Sequence, residues 1–148
     1  MGAGKSTVGS RLAERLGRPF VDLDAHIQAM EGVDIPTLFA QGRFRAVEAE
    51  RLEQVLSGPP VVLATGGGTP CQPGAMDALL EAGWVCFLDT PLEELRARVG
   101  GGQGRPLWGA GVAELYAQRQ PVYRRAHAAV DARGADVVDR VLEAWRAR

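Results

Sequence analysis

The run Gly2-Ala3-Gly4-Lys5-Ser6-Thr7 at the head of the chain constrains the fold more than any other segment. It matches the second half of the phosphate-binding loop G-x-x-x-x-G-K-[ST], a loop that joins a buried strand to a helix. Gly2 and Gly4 permit positive φ and close backbone approach. Successive N–H groups, that of Ala3 among them, can therefore face phosphate oxygens at the start of the helix that follows. Lys5 supplies a compact charge to β and γ phosphates, and the Ser6 hydroxyl suits Mg²⁺, with Thr7 closing the motif. Composition sharpens this reading: of 17 basic residues, 16 are arginine and Lys5 is the single lysine. A bias that exchanges Lys for Arg wherever only surface charge is needed would spare lysine where a point charge, not a planar fork, does the work.

The first glycine of the motif would precede Met1, and so would the strand that feeds the loop. In this architecture that strand is central in a parallel sheet, and strands about 4.8 Å apart do not pair across a vacancy. Either the sheet closes up or residues upstream supply the strand. The second is expected, with Met1 an internal methionine of the natural protein.

The chain has 148 residues, 46% apolar and 24% charged, which predicts a single domain over 1–148. A net charge of −1 argues against a surface built for nucleic acid or an anionic membrane. No apolar run approaches the length of a membrane span and no secretion signal opens the chain, so a cytoplasmic protein is expected. Cys71, Cys86, His26 and His127 lack metal-ligand spacing, and the cysteines read as reduced core thiols.

Periodicity predicts a helix over 6–16, a strand over 20–24 that delivers Asp22 and Asp24 at its C-terminal end, and a brief helix over 25–30. Asp34 reads as a helix cap with Pro36 in the first turn, and 44–56 as an amphipathic helix carrying Arg45 and Glu48. A buried strand over 61–64 runs into Gly66-Gly67-Gly68, where bare backbone points to ligand contact. Then come a helix over 74–82, a strand over 84–89, a helix over 91–99 and a glycine-rich lid over about 100–111 carrying Arg105. A helix over 112–125, a weak strand over 128–131 and a helix over 136–146 complete a three-layer α/β domain. Arg124, Arg125 and Arg140 read as a solvated helix face, whereas Arg105 and Arg119 read as ligand contacts.

Taken in order, Gly-Ala-Gly-Lys-Ser-Thr, Asp22-Leu23-Asp24, Phe44-Arg45-Ala46-Val47-Glu48, Gly66-Gly67-Gly68, Arg105-Pro106-Leu107 and Arg119-Gln120-Pro121-Val122-Tyr123 resemble the shikimate kinase family over nearly the whole chain. The resemblance implies a P-loop kinase fold with strand order 2-3-1-4-5, its first and central strand missing from this chain. It also implies transfer of the γ-phosphoryl group of ATP, with Mg²⁺, to the 3-hydroxyl of shikimate by a monomer. Arg45 and Arg119 would clamp the shikimate carboxylate. Asp24 would accept from ring hydroxyls and orient or deprotonate the attacking one, and Gly67, between Gly66 and Gly68, would present backbone N–H. Asp22 would sit towards Mg²⁺ with Ser6 as direct ligand. Arg105 would neutralise charge on the transferred group and Arg98 would stack on adenine. Two segments depart from the family: the turn before Arg45 and the stretch from Arg105 to Arg119 are short, which bears on the placement of Arg45 and on lid reach.

Two other readings fit part of the pattern. A gluconate-type kinase has no evident need for Asp22, Asp24, Arg45 and the triple glycine together, and a non-catalytic nucleotide- or shikimate-binding remnant would bind without releasing ADP. A GTPase is excluded because the guanine-reading Asn-Lys-x-Asp motif requires asparagine, which the chain lacks.

Overall fold

The computed structural model describes residues 4–94 and 111–148. Helix α1 (Lys5–Leu16) starts on Gly4 at φ 77° and stops on Gly17 at φ 64°, two left-handed positions that favour glycine. Strand β1 (Phe20–Asp22) follows. Helix α2 (Leu23–Glu31) then begins at once because the Asp22 side chain accepts from the Ala25 N–H and caps it. The strand expected over 20–24 is therefore two residues shorter, and Asp24 lies in the first turn of α2.

Helix α3 (Ile35–Ala40) is capped by Asp34, which accepts from the Thr37 N–H at 2.8 Å, with Pro36 in its first turn as expected. Helix α4 (Phe44–Leu56) leads to strand β2 (Val62–Ala64), a 3₁₀ turn over Thr69–Cys71 that periodicity does not predict, and helix α5 (Ala75–Ala82). Strand β3 (Cys86–Asp89) starts two residues later than expected, the Val85 N–H donating to His127 Nδ1. The helix expected over 91–99 is present at 92–94. Its remainder, with Arg98, and the lid through residue 110, with Arg105, lie outside the described residues, as do Gly2 and Ala3. Helix α6 (Val112–Tyr123), strand β4 (Ala128–Asp131) and helix α7 (Val137–Arg146) complete the chain.

The strands form two parallel pairs. β1 lies beside β2 with Asp22 opposite Ala64, and β3 beside β4 with Asp89 opposite Asp131. Among the described residues the pairs are not joined: the order is β1-β2 and, separately, β3-β4. The two pairs correspond to strands 2-3 and 4-5 of the expected 2-3-1-4-5 order.

Helical layers cover the strands. Leu23, Ile27, Leu38, Phe44, Leu52 and Met76 form one core beneath α2 to α5. Val130, Val137 and Val141 form another, against Val8 and Leu12 of α1 and Leu88 of β3. Leu23 and Ile27 are fully buried, each worth about 1.5–3 kcal/mol of transfer energy. Gly9 lets α1 settle on β1, since a Cβ there would stand 2.6 Å from the Phe20 ring. The cysteines are free and half-buried, and Cys86 packs against the second core, as reduced core thiols would.

Candidate active site

The register of β1 with β2 builds the site. Because Asp22 and Ala64 are partners, the segments that follow them, Leu23-Asp24 and Thr65 to Gly68, emerge side by side at the C-terminal ends of parallel strands. That is where ligands bind in open α/β sheets. Burial of Leu23 between the two carboxylates pins the backbone from which Asp22 and Asp24 project.

At the start of α1 no acidic residue occupies the first turn and no side chain caps the helix, so its polar terminus is suited to an anion. Ser6 Oγ donates to Asp22 Oδ2 at 2.5 Å, while Asp22 Oδ1 accepts from Ala25 N–H at 3.2 Å. Asp22 thus both caps α2 and reaches Ser6; the capping and the site readings hold together. A hydroxyl and a carboxylate, oxygen donors only, match the preferences of Mg²⁺.

Asp24 is half-buried among charged groups. Burial holds its carboxyl above the usual carboxylate range, the neighbouring Asp22 and Glu48 charges add to the rise, and Lys5 and Arg45 oppose it. Among the described residues its Oδ1 is buried without a hydrogen-bond partner, and a Cβ on Gly66 would lie 3.3 Å from Oδ2. An orphaned carboxylate oxygen beside bare backbone is equipped to accept a proton or a hydrogen bond from a ligand.

Facing it are two guanidinium groups. A Cβ at Gly68 would lie 2.7 Å from Arg45 Nη2 and 3.0 Å from Arg119 Nη2, so both forks converge on that glycine. Arg119 is 8% exposed. Arg45 rests on the Phe44 and Phe39 rings, 5.1 and 5.5 Å from their centroids, and donates to Glu48 Oε1 at 2.8 Å. Glu48, 2% exposed, accepts through Oε2 from the Thr69 hydroxyl at 2.7 Å. One buried carboxylate thereby joins α4 to the turn after the triple glycine. The Tyr123 hydroxyl donates to the Gly67 carbonyl at 2.5 Å, and Gln72 Nε2 to the Gly68 carbonyl at 3.0 Å.

The structure therefore brings Ser6, Asp22, Asp24, Arg45, Gly66, Gly68 and Arg119 together, with Lys5 close enough to Asp24 to bias its titration. It adds supports that the site reading missed: Glu48, Thr69, Gln72 and Tyr123. The Arg45 and Glu48 spacing of three on one helix carried that signal. The three arginines expected on a solvated face form surface ion pairs: Arg124 with Asp89 at 2.8 Å, Arg140 with Asp136 at 2.6 Å, and Arg125 with Asp77.

An α/β domain with a glycine-headed Lys-Ser helix at the strand ends, and a strand-end carboxylate on that serine, belongs to the P-loop nucleotide-binding class. Comparison with known proteins places it within that class. The family model for shikimate kinase matches residues 1–146. The chain is 40% identical over 140 residues to the shikimate kinase of Nitrosomonas europaea, covering 88% of this chain and 66% of that protein. To the shikimate kinase of Persephonella marina it is 38% identical over 140 residues, covering 90% and 85%. Its fold superimposes on the shikimate kinase of Aquifex aeolicus with a TM-score of 0.90 at 32% identity, covering 99% of this chain and 92% of that one. With the Acinetobacter baumannii enzyme in complex with shikimate the TM-score is 0.91 at 34% identity, covering 99% and 89%. The chain belongs to the shikimate kinase family, kinases that use ATP with Mg²⁺.

Proposed function

We propose that the chain transfers the γ-phosphoryl group of ATP to the 3-hydroxyl of shikimate. The observation that carries this reading is the convergence of Arg45 and Arg119 on Gly68, within one site with the partly desolvated Asp24. Shikimate offers one carboxylate and three ring hydroxyls, so its site needs paired cationic forks on one side and an acceptor on the other.

Arg45 and Arg119 bind the carboxylate, Arg45 aimed by Glu48 and Arg119 by its burial. Gly66, Gly67 and Gly68 leave room for the ring against bare backbone. Asp24 accepts the hydroxyl proton as that oxygen bonds to the γ phosphorus and the bond to the bridging β–γ oxygen breaks, releasing ADP. Its raised affinity for a proton suits that acceptor role. Lys5 and the N–H groups of Gly2, Ala3, Gly4, Ser6 and Thr7 hold the phosphates. Mg²⁺, held by Ser6 Oγ and by Asp22, would offset phosphate charge. Arg105 neutralises charge on the transferred group and Arg98 stacks on adenine. The enzyme acts as a single-domain monomer on a cytoplasmic metabolite, without nucleic acid or membrane; among the described residues no helix is long and apolar enough to cross one.

The test is ADP release with Mg-ATP, with and without shikimate. Release that depends on shikimate supports the reading. Release indifferent to shikimate, or supported equally by gluconate, overturns it.

A further inference from the structure

Some charges on α2 and α4 stand where their own helices least favour them. Glu31 is the last residue of α2, at the end where a helix is negative. Arg43 stands immediately before α4 and Arg45 in its first turn, where a helix is positive, and that turn holds no acidic residue. The arrangement becomes favourable because the two ends meet. Glu31 Oε1 accepts from Arg43 Nη2 at 3.2 Å, and Oε2 accepts from Arg51 Nη2 at 2.8 Å. The Glu31 and Arg51 side chains are 13% and 16% exposed, so water screens their pair less than an open surface ion pair.

The other arm of each guanidinium is also engaged. Arg43 Nη1 donates to Gln41 Oε1 and Arg51 Nη1 to Gln54 Oε1, both at 2.9 Å. Among the described residues Arg51 Nε is buried without a hydrogen-bond partner, which leaves Glu31 as the charge that offsets the desolvation of this fork. Only three residues, Gln41 to Arg43, separate α3 from α4. Gly42 turns at φ 65° and the Arg43 N–H closes on the Leu38 carbonyl at 2.9 Å. So tight a turn has no slack, and whatever holds Arg43 also holds the two residues after it. Phe44 stacks on Phe39 with ring centroids 4.5 Å apart, and the Arg45 guanidinium lies over both rings. The short turn before Arg45 is thus held from outside itself, by the end of α2.

We infer that Glu31 is a positioning residue for Arg45: gripped by Arg43 and Arg51, it fixes the end of α2 against the start of α4 and so sets where the Arg45 fork stands. Asp24 lies seven positions earlier on α2, about 10 Å along the axis at 1.5 Å per residue. One short helix therefore carries the proton acceptor at one end and the hold on a carboxylate clamp at the other. The bearing of this strut on turnover rests on the shikimate reading, whereas its hold on Arg45 does not.

The test uses Glu31→Gln, which keeps size and removes charge, and Arg43→Ala, which removes the exposed partner. Without any substrate, the Arg45 Nε–H resonance, displaced upfield by the two rings, should move in both variants towards the position of an exposed arginine. With Mg-ATP, each variant should raise KM for shikimate about 3- to 10-fold with kcat and KM for ATP little changed, and the double variant should raise it by less than the product of the two. An unmoved resonance in both variants would overturn the inference. So would a double variant that multiplies the single effects, or losses in kcat and KM for ATP that track a fallen thermal midpoint, the mark of general loosening. A displaced resonance with an unchanged KM for shikimate would uphold Glu31 as the hold on Arg45 and remove Arg45 from the carboxylate site, so that the failure falls on the functional reading.

Discussion

Replacing Gly68 by alanine isolates the role of the two arginines. The backbone there, at φ −85° and ψ −14°, accepts alanine without strain. The added Cβ would lie 2.7 Å from Arg45 Nη2, 3.1 Å from Arg45 Nη1 and 3.0 Å from Arg119 Nη2. Ordinary contact begins near 3.4 Å, so at least one fork must retreat by several tenths of an ångström. Arg119, 8% exposed, has little room. Arg45 has an open side, its side chain being 40% exposed, but leaving means loosening its bond to Glu48. Loss of one charge-assisted hydrogen bond to a bound carboxylate costs about 1.5–3 kcal/mol, roughly a 10- to 150-fold weaker interaction. Steady-state kinetics of Gly68→Ala should therefore show KM for shikimate raised by about that factor, KM for ATP little changed, and a thermal midpoint within a few degrees of the parent. An unchanged KM for shikimate would refute the convergence argument. A collapse of stability would show that Gly68 serves the fold instead.

Lys5→Ala should reduce kcat by about 10²- to 10³-fold, with circular dichroism unchanged; retention of most activity would remove Lys5 from the phosphate site. Glu48→Ala strands the Thr69 hydroxyl and frees Arg45, so unfolding should become easier by about 1–3 kcal/mol in denaturant titration, with KM for shikimate rising alongside. Because folding raises the pKa of Asp24, the folded state favours its protonated form. That contribution to stability is full below the ordinary carboxylate range and is lost as pH rises through the shifted value. Asp24→Asn should consequently raise the thermal midpoint relative to the parent at neutral pH but not in acid, while suppressing turnover. The parent's acidic limb of kcat should lie above that of an ordinary aspartate.

Much of the site was legible because its chemistry dictates residue type. A lone lysine after two glycines, paired aspartates at a strand end and three glycines after a buried strand each have few alternative explanations. Local capping and tertiary contacts were harder to read. Asp22 terminates β1 two residues early because its side chain completes the next helix, an exchange of ladder for cap that alternation does not reveal. Glu48 stands in the Phe44-to-Glu48 motif, but its bond to the Thr69 hydroxyl depends on how α4 packs against that turn, which spacing along the helix does not encode. Tyr123 reaches Gly67 across 56 positions of sequence, and no local pattern encodes such a bond.

The two oxygens of Asp22 divide the site into a part that is anchored and a part that exchanges. Oδ1 is committed to Ala25 and so to the first turn of α2, on which Asp24 sits. Oδ2 meets Ser6. A partner arriving at Oδ2 can displace the serine without disturbing the cap, so Asp24 keeps its place while the Ser6 side is rearranged. The two sides are thereby separated mechanically, while the charges of Lys5 and Asp22 still bear on the Asp24 carboxyl.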